Sequence, residues 1–346
     1  MLTTSIAEQN RIRAICQQVL ETSVRSQHLV SGNPVDPSRL SVPQLDEMWR
    51  EHRDNMFRVI DENLRCGMER AAIVGAGRCD SFRLPDVLKI CDERGVRQLD
   101  LLDLNVAALN SALTIAHTKM AGTNLENIDG VLTLRTADQS TCRAVGWDAT
   151  FMLPNLLSEL ERDLRADLVT RLSNGQDATA AMADITREII THSIERRSLN
   201  NSTQFYDLVI SDCLITQINS FFGVTAAAHW LPTLTSTPGA TLSAAIEIHE
   251  GILTLDHLKM LFRLAGGNGQ VVFATDIIRL VAGQPPRPRF MNRGISAAEV
   301  LTSLIPNAKI THTYPQWHWS RSAIESEKVS AVSMPSQSLE TLQQDT

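Results

Sequence analysis

The chain has 346 residues, of which 43% are hydrophobic and 21% are charged, and its formal net charge is -7 at pH 7. This length is enough for one large or two modest domains with a substantial core. The acidic balance argues against nucleic acid or an anionic membrane as the partner, because both attract basic surfaces. The sequence contains no run of about 18 apolar residues, which is the length that a membrane span requires. Its first residues are polar and contain no apolar signal segment. We therefore expect a cytoplasmic protein.

The six cysteines form no C-x-x-C pair, and their spacing is not typical of a zinc site. The sequence thus predicts no metal site. The cysteines are expected to be thiols in a reducing compartment.

Residues 1–66 are predicted to form an N-terminal helical cap. A loop rich in proline and serine interrupts the helices at 31–43, and helical spacing with an apolar stripe resumes at 44–67. The main domain is predicted over 67–334. Residues 335–346 are expected to be a flexible tail.

Apolar segments alternate with helical ones from residue 70 onward, which is typical of a mostly parallel sheet with helices on both faces. The strands are predicted at Ala71–Gly75, Gln98–Leu104, Val131–Ala137, Tyr206–Ser211, Gln270–Ile277, Lys309–Thr313 and Lys328–Met334. A helical insertion at about 146–204 is too long for a simple crossover. We expect it and the N-terminal helices to cover the carboxyl edge of the sheet. The alternatives are that they enlarge the core or form a homodimer interface.

A loop with two glycines follows the first predicted strand and contains Gly75, Gly77 and Asp80. Such glycines permit a tight turn and let a ligand approach the backbone, although Gly-x-Gly also occurs in ordinary strand-to-helix turns. A dinucleotide site requires a third glycine at position 80, where pyrophosphate meets the helix. Asp80 would repel phosphates, but it suits the cationic groups of S-adenosylmethionine. Capping the next helix is an equal alternative for this side chain.

Acidic residues follow the second and third predicted strands. Asp103 lies near the end of the second strand, where a carboxylate can accept hydrogen bonds from both ribose hydroxyls. Asp100 is the competing acid, but it lies mid-strand and on the opposite face. The alternative role for Asp103 is a cap for the helix at 106–120. Asp138 follows the third predicted strand, where an acid can bind the amino group of adenine.

In this order the segments resemble the class I S-adenosylmethionine-dependent methyltransferases. IVGAGRCD is similar to their glycine loop, DLLDLN to their acidic second strand and TAD to their adenine acid. FYDLVISDC resembles their fourth strand, and LAGGNGQVVFATD their glycine turn and fifth strand. The resemblance covers about 70–145 and 203–334. The chain departs from the family in lacking the usual proline of the glycine turn and the third glycine of the loop.

The resemblance implies a Rossmann-like, mostly parallel seven-stranded sheet flanked by helices. It also implies a pocket for S-adenosyl-L-methionine, lined by Gly75, Ala76, Gly77, Asp80, Asp103, Leu104, Asp138, Gln139, Ser211, Asp212 and Cys213. Of these, the three residues 211–213 would face the methyl group or the acceptor. The sequence assigns no catalytic acid or base. The candidate bases, each more typical of a surface or structural histidine, are His229, His257, His312 and His318.

Methyl transfer to an unidentified, small-molecule acceptor is therefore the predicted function. An inactive methyltransferase-like scaffold that binds a protein partner is the alternative, and cofactor binding would separate the two. An aminopropyl transferase is a third hypothesis, for which the sequence has no convincing acidic amine-binding motif. The aromatic cluster of Tyr314, Trp317 and Trp319 is expected to pack in the core or to line an acceptor site.

Overall fold

The computed structural model describes residues 42–103, 105–147, 171, 174, 205–213, 254–255, 257–288, 296–320 and 324–339. The chain divides into two compact units. One unit consists of Met1–Asn33, Thr150–Thr203 and Gln217–His257, and the other consists of Pro34–Ala149, Gln204–Thr216 and Leu258–Thr346. Nearly all described residues belong to the second unit. The predicted insertion at 146–204 lies almost entirely outside them.

Helices and strands alternate along most of the second unit. The helices are α1 Val42–Asn63, α2 Leu84–Arg94, α3 Val106–Lys119 and α4 Ala297–Leu304, with further helical residues at 257–265. The strands are β1 Arg70–Val74, β2 Gln98–Asp103, β3 Asn124–Ile128, β4 Val131–Arg135, β5 Thr141–Gly146, β6 Leu208–Asp212, β7 Gln270–Val281, β8 Arg287–Pro288, β9 His312–Thr313, β10 Trp317–Ser320 and β11 Glu325–Pro335. A 3-10 helix, Ser336–Leu339, follows β11 in the stretch predicted to be a tail.

The eleven strands of the described residues form one sheet, in the order β10-β11-β7-β6-β1-β2-β5-β4-β3, with β8 beside β7 and β9 beside β11. The five central strands, from β7 to β5, are parallel. Antiparallel strands flank them, β4 and β3 at one edge and β11 and β10 at the other. The chain runs outward from β1 in one direction through β2 and β5, and in the other through β6 and β7. This reversal opens a crevice at the carboxyl ends of β1 and β6.

The prediction of an α/β fold is confirmed, and the centre of the sheet is parallel as expected. The prediction of a mostly parallel sheet of seven strands is wrong, because the described sheet has eleven strands and six of its ten pairings are antiparallel. Val131–Ala137 was expected to be the third parallel strand. Residues 131–135 instead form β4, antiparallel to β5, and it is β5 that pairs in parallel with β2. The strand expected at Lys309–Thr313 is reduced to the short β9, and β10 takes the outer place in the sheet.

Apolar side chains explain why β1 and β6 lie at the centre. All five residues of β6 are buried, as are the last four of β1. A short, continuous run of buried residues is typical of a parallel strand that is covered on both faces. The last residue of β1, Val74, pairs with Ser211 of β6. The loops that follow these two strands therefore begin side by side.

Helix α1 is part of the core that covers the sheet. Met56, Val59 and Ile60 are completely buried. At the end of the helix, the Arg94 guanidinium donates hydrogen bonds to the carbonyl oxygens of Asp61 and Leu64 and to the Asp61 carboxylate. A cation at this position also offsets the partial negative charge of a helix C-terminus.

The glycine turn before β7 lies at the amino edge of the sheet, since Gln270 pairs with Leu208, the first residue of β6. A Cβ atom at Gly269 would lie 2.0 Å from the carbonyl oxygen of Ala265 and 2.6 Å from that of Tyr206, so the position admits only glycine. The turn and the residues before β6 line a shallow cleft. This cleft is at the edge opposite the crevice.

The described part of the chain contains no helix with both the length and the apolar character that a membrane crossing requires. The five described cysteines form no disulfide with one another.

A buried ionic network joins β2, β5 and the start of β6. The completely buried Asp100 carboxylate accepts hydrogen bonds from Arg143 Nε at 2.7 Å and Arg143 Nη2 at 2.5 Å. It also accepts hydrogen bonds from Tyr206 Oη at 2.7 Å and Gln98 Nε2 at 2.9 Å. Its lone pairs are thus engaged within the protein, and Asp100 has a structural role.

We expect Asp100→Ala to lower the free energy of unfolding by about 3 kcal/mol, because it leaves the Arg143 guanidinium and the Tyr206 hydroxyl without their shared acceptor. Urea denaturation at neutral pH measures the change. Glu93→Ala is the control, since it removes only an exposed pair with Lys89 and should change stability by less than about 0.5 kcal/mol. Equal effects of the two substitutions would contradict a structural role for Asp100.

Candidate functional site

The loop that follows β1 turns sharply over the end of β2. Gly75 N–H donates to the carbonyl oxygen of Leu102 at 2.8 Å, and Gly77 N–H donates to Asp103 Oδ2 at 2.9 Å. The φ angles of Gly75 and Gly77 are 80° and 51°, a region that favours glycine because a Cβ atom is strained there. The two glycines therefore let the loop fold back onto the second strand.

Asp103 connects this loop to the helix that follows β2. Its other oxygen, Oδ1, accepts a hydrogen bond from Asn105 N–H at 2.8 Å. Burial raises the pKa of Asp103, and the hydrogen bonds from the backbone of Asn105 and Gly77 lower it. The alternative role as helix cap is wrong, because Asn105 is the N-cap and accepts from Ala108 N–H at 3.0 Å. Each carboxylate oxygen has a second acceptor position that a ribose hydroxyl can use.

The side chain of Asp80 contacts another residue of the glycine loop. Its carboxylate forms an ion pair with Arg78 at 3.0 Å, and its carbonyl oxygen accepts a hydrogen bond from Arg53 Nε of α1 at 2.7 Å. The alternative role as cap of α2 is wrong, because the N-cap of that helix is Arg83, whose side chain makes no capping hydrogen bond. Helix α1 thus holds the far side of the glycine loop.

Asp212 ends β6, and its carboxylate is buried at the crevice. Oδ2 accepts a hydrogen bond from Ser81 Oγ of the glycine loop, whereas Oδ1 is buried and has no hydrogen-bond partner among the described residues. Burial raises the pKa of Asp212 to about 6. Ser81 and the neighbouring Cys213 thiol lower the pKa, and the charges of Asp103 and Asp276 raise it further. The charges of two other carboxylates therefore add to the effect of burial on the pKa of Asp212.

The pKa of the buried Cys79 thiol indicates a negative electrostatic potential beside the glycine loop. Burial raises its pKa well above the ordinary value, and the negative charges of Asp212, Asp80 and Asp103 raise it further, in that order of size. Carboxylates from the loop, from β2 and from β6 therefore all act on the Cys79 thiol. We call Asp80, Asp103 and Asp212 the carboxylate ring.

His52 of α1 also reaches the end of β6. Trp317 Nε1 donates a hydrogen bond to His52 Nδ1 at 3.0 Å, and the Trp319 ring stacks on the imidazole at 4.4 Å with an interplanar angle of 11°. An indole N–H can only donate, so His52 Nδ1 must be the acceptor and a neutral imidazole carries its proton on Nε2. The aromatic cluster of β10 thus packs against α1 and fixes the His52 ring.

Within the described residues, one group has the donor atoms of a metal site. A nitrogen of His52, a carboxylate oxygen of Asp212 and the sulfur of Cys213 lie within 4.8 Å of one another, and all three residues are buried. With Nδ1 accepting from Trp317, however, neutral His52 has no lone pair on Nε2 for a metal. A cation bound by all three groups would require the loss of the indole hydrogen bond.

The structure brings most of the predicted site residues together at the carboxyl edge. The glycine loop, Asp103 and residues 211–213 all lie there. Asp138 and Gln139 do not, and their prediction is wrong. They form the turn between β4 and β5 that leads into Thr141, which pairs with Gln98 at the beginning of β2. They therefore lie at the amino edge, because β4 is antiparallel to the central strands. Leu104 lies outside the described residues.

Two of the candidate histidines lie at the surface, one is buried, and one lies outside the described residues. His312 and His318 are exposed, and His318 donates its backbone N–H to Glu51 Oε1. His257 is buried at the start of the helical residues 257–265, and His229 lies outside the described residues. The prediction missed His52, which lies between Trp49 and Met56 at helical spacing. A histidine on the apolar stripe of α1 was the available signal.

No family model and no curated protein matches the sequence. Among solved structures, TnmH is 12% identical and matches over 93% of this chain and 69% of its own, with a TM-score of 0.35. A possible exported protein from Bordetella parapertussis is 12% identical over 90% of this chain and 79% of its own, with a TM-score of 0.38. The rRNA methyltransferase aviRa from Streptomyces viridochromogenes is 13% identical over 90% of each chain, with a TM-score of 0.28. Likenesses this distant carry no argument about activity.

Asp212→Asn tests the cost of the buried charge. Because burial raises the pKa of Asp212 from 3.8 to about 6, the folded state binds more protons than the unfolded state between these values. The contribution of this group to stability is therefore present below pH 3.8 and lost as pH rises through about 6. We expect the variant to be more stable than the parent at about pH 8, by up to about 3 kcal/mol, and nearly equal at about pH 4.

Urea denaturation at the two pH values measures this difference. The exposed Glu93→Gln serves as the control for removing one negative charge. A variant less stable than the parent at the higher pH would show that the Asp212 charge is well compensated in the fold.

Proposed function

We propose that the chain is an S-adenosylmethionine-dependent methyltransferase acting on a small-molecule acceptor. One observation carries this proposal: a glycine loop at the reversal point of the sheet contains one member of the carboxylate ring and donates hydrogen bonds to the other two. Loops of this kind bind nucleotide ligands at the carboxyl ends of parallel strands. A pyrophosphate is anionic and would be repelled by the ring, whereas an adenosyl sulfonium with an amino group is cationic and would be attracted.

The residues present fit this cofactor. Asp103 retains acceptor positions for the ribose hydroxyls, and the positive φ angles at Gly75 and Gly77 leave the loop without side chains at its closest approach. When bound, the cofactor supplies an activated methyl group that leaves a neutral thioether behind. The protein mainly needs to orient the acceptor and exclude water. We expect Asp212, the last residue of β6, and Cys213, which follows it, to contact the acceptor.

The adenine contact needs a new assignment, because Asp138 is at the other edge. Trp147 follows β5 at the carboxyl edge and donates its backbone N–H to the carbonyl oxygen of Asp103 at 2.9 Å. In the sequence, Asp148 comes next. We propose that residues 147 and 148 take the role that the resemblance gave to Asp138.

The scaffold alternative, in which the chain binds a protein partner without catalysis, predicts no cofactor binding. The homodimer and the covering role of the N-terminal helices and the insertion remain proposals as well. Either arrangement would narrow the entrance to the site, and a narrow entrance favours a small acceptor over a polymer.

Calorimetry with S-adenosylhomocysteine and NAD tests the cofactor. We expect S-adenosylhomocysteine to bind and to raise the melting temperature, since a ligand of the native state stabilises it. NAD should neither bind nor shift the melting temperature. Binding of NAD without S-adenosylhomocysteine would refute the methyltransferase proposal, and binding of neither would favour the scaffold.

Asp103→Ala should weaken S-adenosylhomocysteine about ten- to a hundredfold, because hydrogen bonds to a charged acceptor contribute roughly 1.5–3 kcal/mol. Titration calorimetry measures the dissociation constant. Asp100→Asn is the comparison, since Asp100 lies in the same strand but is engaged by Arg143 and Tyr206. A larger loss of affinity in Asp100→Asn than in Asp103→Ala would place the ribose contact elsewhere.

A further inference from the structure

The strongest unexplained feature of the crevice is the Asp212 carboxylate. The residue is 3% exposed, and in the part of the chain that the structure describes its Oδ1 atom has no hydrogen-bond partner. A buried charged oxygen without a partner is costly to the fold. Such a group is kept where a ligand uses it, and perturbed carboxyl groups in clefts mark functional positions.

The surroundings of Asp212 determine which ligand it can take. Among the described residues, the charges that act on Asp212 are those of two other carboxylates, Asp103 on β2 and Asp276 on β7, and both disfavour a second negative charge. The completely buried Asp276 lies two residues beyond Ala274, the residue of β7 that pairs with Asp212. A phenolate or carboxylate acceptor would add an anion to this group. An ammonium or amine would relieve the repulsion and could donate N–H bonds to Oδ1.

We propose that the acceptor is an amine, and that Asp212 Oδ1 binds its nitrogen and takes its proton. This inference rests on the proposed methyltransferase function and deepens it. Asp212 becomes a catalytic residue, because it touches the reacting nitrogen. The imidazole of His52, held by Trp317 and Trp319, lies beside the carboxylate.

The reaction balances with a sulfonium methyl donor as the second reactant. The ammonium form of the acceptor first transfers one proton to the Asp212 carboxylate, which leaves a neutral amine with a lone pair. That lone pair forms the nitrogen–carbon bond as the carbon–sulfur bond breaks, and the electrons of the broken bond stay on sulfur. The products are a methylated ammonium, a neutral thioether and a protonated Asp212, which releases its proton to solvent. Burial favours the first transfer, because a buried pair of opposite charges loses hydration that a neutral pair does not need.

Sinefungin is a suitable probe, because a carbon bearing an amino group replaces the sulfur and methyl of the cofactor. Its ammonium therefore occupies the place where methyl donor and acceptor nitrogen meet. The test is titration calorimetry at about pH 8 with sinefungin and S-adenosylhomocysteine, on the full chain and on two variants. Asp212→Asn removes the charge and keeps the shape. Glu93→Gln removes a charge from the exposed end of α2, far from the loop.

We expect the full chain to bind sinefungin at least tenfold more tightly than S-adenosylhomocysteine. The preference should fall below about threefold in Asp212→Asn and persist in Glu93→Gln. Equal binding of the two ligands by the parent protein would overturn the amine inference and leave the methyltransferase proposal standing. A preference for sinefungin that persists in Asp212→Asn would also overturn the amine inference. Failure of both ligands to bind the parent would remove the proposed function and this inference together.

Discussion

The hydrogen bonds of the Asp103 carboxylate determine the shape of the site. One oxygen accepts from Gly77 in the loop after β1, and the other accepts from Asn105 before α3. These two backbone segments follow neighbouring parallel strands, and the carboxylate fixes their separation. Because the loop is held in this way, Ser81 reaches the end of β6 and donates to Asp212. The arrangement of the carboxylate ring therefore follows from one acidic side chain at the end of β2.

Two buried aspartates on the same sheet show how environment separates structure from function. Asp100 is surrounded by donors and joins three segments, so its charge is compensated within the protein. Asp212 has one oxygen without a hydrogen-bond partner among the described residues, and the charges of Asp103 and Asp276 act on it. In a fold selected for stability alone, a neutral residue of the same shape would be expected in place of Asp212. The cost of keeping an uncompensated charge is the physical reason to assign it a ligand.

The sequence was sufficient to predict the central strands β1, β2, β6 and β7, because continuous apolar runs ending in glycine or polar residues mark buried parallel strands. The sequence pattern led to a wrong prediction of the third parallel strand. Asp129-Gly130, with φ angles of 52° and 84°, is a two-residue hairpin turn that makes 124–135 an antiparallel pair. Recognising that dipeptide would have moved the parallel strand to 141–146. The neighbours of Asp212 could not have been predicted, because His52 and Ser81 are brought to it by packing alone.

The hydrogen bond between Trp317 and His52 joins residues separated by 265 positions in the sequence. During synthesis the first helix of the described structure emerges early, but the strand that covers its histidine is among the last segments made. Its apolar stripe must therefore stay uncovered, or be covered by something else, until almost the whole chain is available. Contacts between such distant segments form late, because closing a long loop costs entropy before any contact rewards it. Completion of the crevice is thus a late event in folding, and the chain acquires its site only after the rest of the sheet.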